Sequence, residues 1–361
     1  MTGVNLNKII SVPQLIVLMV INRIVISMTF GSYSIGGNNI WDCIVSSFVI
    51  FLITFFLVIP VVFLCNNNDG SDISDLSEKI LGKFGKLFSI FYAFYFLLIC
   101  AHTLITFKVF IENVINPPIS FLVLSTSIIV FACYASSKGI ESIARASSII
   151  LFFISFLLIF IAFSLFKVTD FTNFKSFFYD GFDSFNKGFL FLLSRMSCIP
   201  AMGFLIPMVN GNVKKGIIFW NFMVFILMSV FIFLVVGVLG DLSTVKLFPV
   251  YTATSAAKIS KFENLDSLYL GLWAAGIFLK ISMFLNLSSE CLRKTFGRKN
   301  NKIIVSILGV ILIFVNMFSK ISNFLVGIFN TKIILVFTIS TAFVIPLILL
   351  LMRKIRQEAK V

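Results

Sequence analysis

Residues 189–210 read FLFLLSRMSCIPAMGFLIPMVN, an apolar stretch long enough to cross a bilayer but carrying residues that disfavour a regular helix. Pro200 removes a backbone donor and clashes with the preceding turn, and Gly203 makes the chain pliable. A helix broken at mid-membrane frees backbone groups that lipid cannot satisfy, so such a break survives only beside a cavity or under protein. In transporter folds a break of this kind marks the ligand site. The stretch therefore predicts a discontinuous helix beside a ligand, and a proline kink without a ligand is the alternative.

The composition of the whole chain is that of a membrane protein. Hydrophobic residues make up 59% of the 361 residues, and only 12% are charged. A soluble domain of this length does not need so much apolar surface, so we predict an all-α polytopic membrane protein. The net charge of +14 does not indicate nucleic acid, because the cations lie in short loops between apolar spans, where they set topology.

Hydropathy divides the chain into ten predicted spans within a single integral membrane domain, residues 1–361. Basic residues are more frequent in alternate loops, so the positive-inside rule places both termini in the cytoplasm, including the basic tail 353–361. Arg23 and Gly31 are eight residues apart, as are Arg195 and Gly203. This echo suggests two inverted five-span halves, residues 1–166 and 188–352, although chance is an alternative explanation. The spans are roughly 10–34, 42–64, 87–113, 119–136, 146–166, 188–208, 217–239, 266–288, 303–320 and 333–352.

Common catalytic and metal-binding patterns are absent from the sequence. It has six Cys without a CxxC pair and one His, His102, so we predict no disulfide, no metal site and no cofactor. It contains no GxSxG, P-loop or HExxH motif and no pair of carboxylates at working distance. We therefore predict that the protein is not an enzyme.

Basic residues inside the spans are the strongest functional signal. Arg23, Arg195 and Lys280 lie at mid-depth, where no span carries an acidic residue. A cation in the hydrocarbon region is costly and needs compensation, which a carboxylate-bearing ligand or the carbonyls at a helix end would supply. Snorkelling towards an interface is the alternative for Arg23, but Arg can barely reach an interface from mid-depth.

The third span adds His102 and Thr103 to the candidate site. We favour His102 as a hydrogen-bonded residue of the bundle over a proton relay. Lys108 and Glu112 are four residues apart and therefore share one helix face.

Three connecting segments also carry predictions. Glu141 and Arg145 have the same four-residue spacing as Lys108 and Glu112, and we expect a plain ion pair at the inner interface. Ser74 or Ser77 is predicted to cap a short helix that starts near Leu76. Residues 250–259 of the outer loop are predicted to form an amphipathic helix, which would serve as a lid.

Several stretches resemble the spore-germination permease family, the GerAB-type B subunits of nutrient germinant receptors. The resemblance covers nearly the whole chain and is most specific in residues 262–282. The residues that carry it are Gln14, Tyr134, Gly139-Ile140-Glu141, Arg145, Pro207, Phe248-Pro249, Phe262-Glu263-Asn264-Leu265-Asp266, Trp273, Phe278 and Lys280.

This resemblance implies membership of the amino acid–polyamine–organocation transporter superfamily. It implies an inverted repeat of five plus five spans with discontinuous first and sixth helices. It also implies nutrient sensing in the inner membrane of the spore, and assembly with an A subunit and a lipoprotein C subunit. Residues 22–25, Asn-Arg-Ile-Val, depart from the superfamily, which has a glycine pair there.

We therefore predict a binding module for a small nutrient, most simply an amino acid, embedded in membrane lipid. Lys280 is predicted to substitute for the cation of sodium-coupled relatives, and Glu141, Arg145, Glu263 and Asp266 to have structural or interface roles. The alternatives are a proton-coupled amino acid transporter and a structural or channel subunit without a ligand. The predicted ligand-binding residues are Arg23, His102, Thr103, Ser197, Cys198, Pro200 and Gly203.

Overall fold

A computed structural model of the chain is built almost entirely of helices. It describes residues 9–29, 40–66, 70–115, 121–179, 181–256, 265–297, 300–317 and 331–358. The first half contains α1 (Val12–Thr29), α2 (Ile40–Asn66), α3 (Ile73–Leu81), α4 (Gly85–Phe110), α5 (Phe121–Lys138) and α6 (Ile140–Val168). The second half contains α7 (Phe182–Ser194), α8 (Cys198–Leu205), α9 (Val213–Leu239), α10 (Leu242–Val245), α11 (Pro249–Ala256), α12 (Leu265–Phe296), α13 (Asn301–Met317), α14 (Thr331–Ile339) and α15 (Ile345–Glu358).

The helices have the lengths and compositions of membrane spans. Seven described helical segments are long and apolar enough to cross a bilayer, and three shorter apolar helices correspond to α1, α5 and α13. Large apolar side chains on α6, such as Phe152, Phe156 and Phe163, are each about 70% exposed and are placed to face lipid. The prediction of an all-α polytopic membrane protein is confirmed. The division into two five-span halves stays a prediction.

The sixth span is broken, as predicted, but Pro200 is not at the break. Helix α7 ends at Ser194 and α8 begins at Cys198, with Arg195 in a turn between them. Pro200 lies in the first turn of α8, where backbone N–H groups have no partner within the helix, so a proline costs little there. The proline therefore starts the second half-helix, and the discontinuity lies just before it.

The first span is a continuous helix, so the expected discontinuity in it is wrong within the described residues. Helix α1 runs unbroken through Asn22 and Arg23. Its interior is rich in Val, Ile, Leu and Met and contains no glycine, and its one proline, Pro13, lies in the first turn. Without the glycine pair of the superfamily, nothing in this segment favours unwinding.

A short parallel strand pair joins the start of the first span to the end of the sixth. Strand β1 (Ile10–Ser11) pairs with β2 (Val209–Asn210), with Ile10 opposite Val209. Gly216 allows α9 to approach the same region, because a Cβ there would lie 2.5 Å from Cγ1 of Val12. These contacts fix α1 against the second half of the chain.

Helix α3 starts earlier than predicted, and the residue that caps it is different. Asp72 caps the helix by accepting a hydrogen bond from the Asp75 backbone N–H, and Asp75 reciprocates in a capping box. The prediction of a Ser74 or Ser77 cap near Leu76 is wrong, because both serines lie within or against the packed helix and are buried.

The described part of the outer loop supports the predicted short helix over the bundle. Helix α11 starts at Pro249, and Phe110 at the end of α4 contacts Phe248 and Tyr251 with ring centroids 4.8 and 5.2 Å away. Residues 257–259 of the predicted lid lie outside the described residues. Whether this helix opens and closes stays a prediction.

Candidate ligand site

The break in the sixth span is covered by polar side chains of α1. Asn22 Nδ2 donates to Ser197 Oγ at 3.3 Å and to Cys198 Sγ at 3.1 Å. The Cys198 thiol donates back to the Met19 carbonyl at 3.5 Å. The break is therefore covered by protein through its own side chains, which agrees with the condition for a break at membrane depth.

Arg23 is compensated in part by the end of α7. Its Nη1 donates to the Arg195 carbonyl at 3.2 Å, and Arg195 is the capping residue directly after the end of α7. The C-terminal end of a helix carries partial negative charge, so it stabilises a cation. Helix carbonyls were one of the two sources of compensation expected from the sequence.

Arg195 is held by His102 of α4. Arg195 Nη1 lies 2.8 Å from His102 Nε2, and the guanidinium lies over the Phe191 ring at 5.3 Å. A guanidinium only donates, so Nε2 is the acceptor and the proton of a neutral imidazole is on Nδ1. This geometry agrees with the interpretation of His102 as a hydrogen-bonded residue of the bundle.

A narrow cavity of about 20 Å³ lies beside these groups. Lys280 of α12 lines it together with Arg195, His102, Thr103 and Thr106. The Thr103 and Thr106 hydroxyls donate to carbonyls of their own helix, at 2.8 Å in each case. The polar groups around the cavity are therefore two cations, one imidazole and two hydroxyls, and the hydroxyls already donate their protons to backbone carbonyls.

The cluster carries positive charge without a carboxylate. Lys280 is 5% exposed and Arg23 is 3% exposed. None of the ion pairs between described residues includes Arg23, Arg195 or Lys280. In the same region the Nε atoms of both arginines and Oδ1 of Asn22 are buried without a hydrogen-bond partner among the described residues. Such groups are costly to bury, so they favour a ligand that supplies the missing charge and hydrogen bonds.

Gly203 lies apart from this cluster. A Cβ on Gly203 would overlap Cδ1 of Ile73 in α3, and its carbonyl accepts a hydrogen bond from Cys65 Sγ at 3.3 Å. Pro200 is buried within α8. The structure therefore places the other five predicted ligand residues, Arg23, His102, Thr103, Ser197 and Cys198, around the break, and Gly203 at the contact with α3.

Two larger cavities lie between α6 and α9 and have a different character. Their volumes are about 290 and 620 Å³, and both are lined by Ile159, Ala162, Val230 and Leu234. None of the predicted ligand residues lines them. Nearly all of their lining is apolar, so they do not suit a charged amino acid.

Polar residues of the tenth span contribute to the surroundings of the break, and they were not predicted from the sequence. Thr338 Oγ1 donates to the Ser194 carbonyl at 3.1 Å and also contacts Tyr95 Oη at 3.1 Å. Tyr92 Oη donates to the Thr341 carbonyl at 2.6 Å. Asn22 was likewise not predicted as a site residue. The signal in the sequence that could have identified the tenth span is the presence of Thr338 and Thr341 among its apolar residues.

The predicted ion pairs form at the ends of spans. Arg145 Nη2 lies 2.6 Å from Glu141 Oε1, and Lys108 Nζ lies 4.0 Å from Glu112 Oε1. Glu263 lies outside the described residues, and only the backbone of Asp266 is described, within α12. Across the described segments no group of three His, Cys, Asp or Glu could hold a metal ion, and the six cysteines are free thiols.

Comparison with known proteins identifies the family. The family model described as Spore germination protein matches residues 9–325. The chain belongs to this family. A relative is Spore germination protein KB of Bacillus subtilis (strain 168), which is 24% identical over 301 residues, 81% of this chain and 80% of that protein. These matches confirm the resemblance seen in the sequence. The protein is a multi-pass membrane protein related to spore germination.

Proposed function

We propose that this protein is the nutrient-sensing membrane subunit of a spore germinant receptor, and that it binds an amino acid at the break in the sixth span. The observation that carries the proposal is the meeting of α1, α4 and α12 at this break. Asn22 of α1, Lys280 of α12 and Arg195 of the turn itself have unmet charge or hydrogen-bonding capacity. Family membership supports the role in germination.

The unmet groups fit the two ends of an amino acid. A carboxylate complements Arg195 and Lys280, and an ammonium group would donate to Oδ1 of Asn22, which has no donor among the described residues. Ser197 and Cys198 lie within hydrogen-bonding distance of the Asn22 amide nitrogen, so they set its orientation.

The cavity of about 20 Å³ is too small for an amino acid, so binding requires movement. The short turn at residues 195–197 is the natural place for it, because the half-helices α7 and α8 are joined only there. A nutrient that binds the opened form more tightly shifts the equilibrium towards it, and partner subunits read the change. Lys280 is proposed to occupy the place of a transported cation, so that the protein signals without sodium coupling.

The location and partners belong to the same proposal. We place the protein in the inner membrane of the spore, with both termini in the cytoplasm, assembled with an A-type subunit and a lipoprotein C-type subunit. Neighbouring genes for these two subunits would support a receptor over a free-standing permease.

A germination assay with matched cation variants tests the proposal. Spores would carry wild type, Arg195→Gln, Lys280→Met or the control Lys108→Met, whose cation lies near Glu112 at the end of α4. We expect the first two variants to raise the half-maximal nutrient concentration at least about tenfold, equivalent to about 1.4 kcal/mol, with the control near wild type. Immunoblots of spore membranes would show equal protein levels.

Two outcomes of related measurements would favour the alternatives. Uptake of labelled nutrient by vesicles containing the purified protein, lost in His102→Gln, would indicate a proton-coupled transporter. Nutrient specificity and sensitivity unchanged in all the site variants, at normal protein levels, would indicate a structural or channel subunit.

A further inference from the structure

The size of the cavity beside Lys280 limits what it can hold in the closed structure. A cavity needs about 10–15 Å³ to hold one water molecule. At about 20 Å³, this one has room for a single water or a single monatomic ion, and not for an amino acid. In the closed form, the candidate occupants of this cavity are therefore a water molecule or a monatomic ion rather than the nutrient.

The charge around the cavity decides between water and an anion. Arg195 and Lys280 line it together with His102, Thr103 and Thr106 of α4, and the remaining lining side chains are apolar. None of these residues is acidic. A water molecule would hydrogen-bond to the cations but would leave their charge uncompensated in a low-dielectric region. A monovalent anion accepts hydrogen bonds from the same cations and also compensates their charge.

The donors on the lining also suit an anion. Lys280 is in none of the ion pairs between described residues, and Nε of Arg195 is buried without a hydrogen-bond partner among them. Thr103 and Thr106 have committed their hydroxyl protons to backbone carbonyls, so they add no donors. The two cationic side chains are therefore the groups that would hold the ion.

We propose that this cavity binds one halide-sized anion, chloride under physiological conditions, between Lys280 and Arg195 in the closed form. The anion joins α12 to the turn of the broken span and so stabilises the closed arrangement. A nutrient carboxylate then takes its place when the site opens, and this second part rests on the proposed function. Halide and nutrient are thus expected to compete.

Thermal unfolding of the purified full-length protein without nutrient tests the anion site. Sodium chloride, sodium bromide and sodium gluconate would be compared at fixed pH and fixed ionic strength. We expect the halides to raise the midpoint by about 2–4 °C over gluconate, with saturation. Lys280→Met and Arg195→Met should lose the difference between halide and gluconate, and Lys108→Met should keep it.

A second measurement needs no variant. Anomalous scattering from bromide-soaked crystals of the wild type is expected to give a peak beside Lys280 Nζ, so the test survives even if both site variants fail to fold. A further sample in sodium acetate distinguishes a halide from a carboxylate as the anion in the cavity. If acetate matches the halides, a carboxylate fills the cavity and the halide proposal is overturned.

The failures of the two proposals are distinguishable. Equal midpoints in halide and gluconate, with no bromide peak, would overturn the anion site and leave the germination assay untouched. Halide binding together with unchanged nutrient sensitivity of the site variants would support the anion site and refute nutrient sensing by this cluster. Competition is measured last, as a rise in half-maximal nutrient concentration with added chloride at constant ionic strength.

Discussion

At the scale of single residues, buried cations of the site differ in how they are compensated. Arg23 reaches the carbonyl just after α7, whereas Lys280 is in none of the ion pairs between described residues. A guanidinium is planar and its donors form a fork, so it can meet a helix end and still pack among apolar neighbours. Lys280 instead lines the cavity as a compact charge, so under the proposed function it depends most on the ligand.

Asn22 is predicted to contribute to stability as well as to the site. Replacing it with Leu removes the donor to Ser197 and Cys198 in a buried position. We expect a loss of about 1–3 kcal/mol in the free energy of unfolding, measured by denaturation in detergent. Asn113→Ala is the control, because this exposed asparagine only contacts a carbonyl of its own helix. Equal stabilities of the two variants would contradict the prediction.

Gly203 is predicted to be required for the contact between α8 and α3. Gly203→Ala places a methyl group against Ile73 Cδ1, so we expect a loss of about 1–3 kcal/mol in the free energy of unfolding. Ile73→Val removes the clashing carbon and should restore part of the loss in the double variant. Gly271→Ala has open space around it and should be neutral or slightly stabilising. Additive effects of the Gly203 and Ile73 changes would show that the two residues are not coupled.

At the scale of elements, α3 joins the broken span to the predicted cytoplasmic surface. Lys294 of α12 contacts Asp72 at 2.5 Å and Asp75 at 2.6 Å. Arg356 of α15 donates to the Lys79 and Ile80 carbonyls at the other end of α3. A helix held at both ends and packed on Gly203 therefore links α8 to the predicted cytoplasmic surface.

The burial of the Asp72 carboxyl beside Lys294 is predicted to give a pH-dependent stability. Burial raises the pKa of Asp72 from 3.8 to about 6, although the Lys294 ammonium opposes the shift. The folded protein therefore binds a proton at Asp72 more tightly than the unfolded chain does. The contribution of Asp72 then favours folding at low pH and is lost as the pH rises from about 4 through 6.

Asp72→Asn tests this dependence, because asparagine keeps the helix cap and removes the titration. Between pH 4.5 and 7 we expect the free energy of unfolding to fall further in the wild type than in the variant. The difference is at most about 3 kcal/mol. Parallel curves for the two proteins would show that burial does not dominate at Asp72.

At the scale of the whole molecule, the arrangement of spans predicts which cysteines react. The six native cysteines are buried or half-buried, so a membrane-impermeant thiol reagent should leave the folded wild type unmodified. Lys187→Cys lies on the predicted outer side, and Ile355→Cys lies in the predicted cytoplasmic tail helix, both at exposed positions. We expect labelling of Lys187→Cys in intact right-side-out vesicles, and of Ile355→Cys only after permeabilisation. The reverse pattern would place the termini outside.

The amino-acid order alone is enough to predict the membrane class, the approximate spans, a break near residue 200 and the need to compensate Arg23, Arg195 and Lys280. These features follow from local composition, because hydrocarbon requires long apolar helices and makes unpaired charges costly wherever they fall. Long-range packing accounts for the rest: α1 is continuous, Gly203 contacts Ile73 rather than the site, and the cavity is small in this form. Such features depend on contacts between residues far apart in the chain, such as Asn22 with Ser197, and periodicity within one span does not encode them.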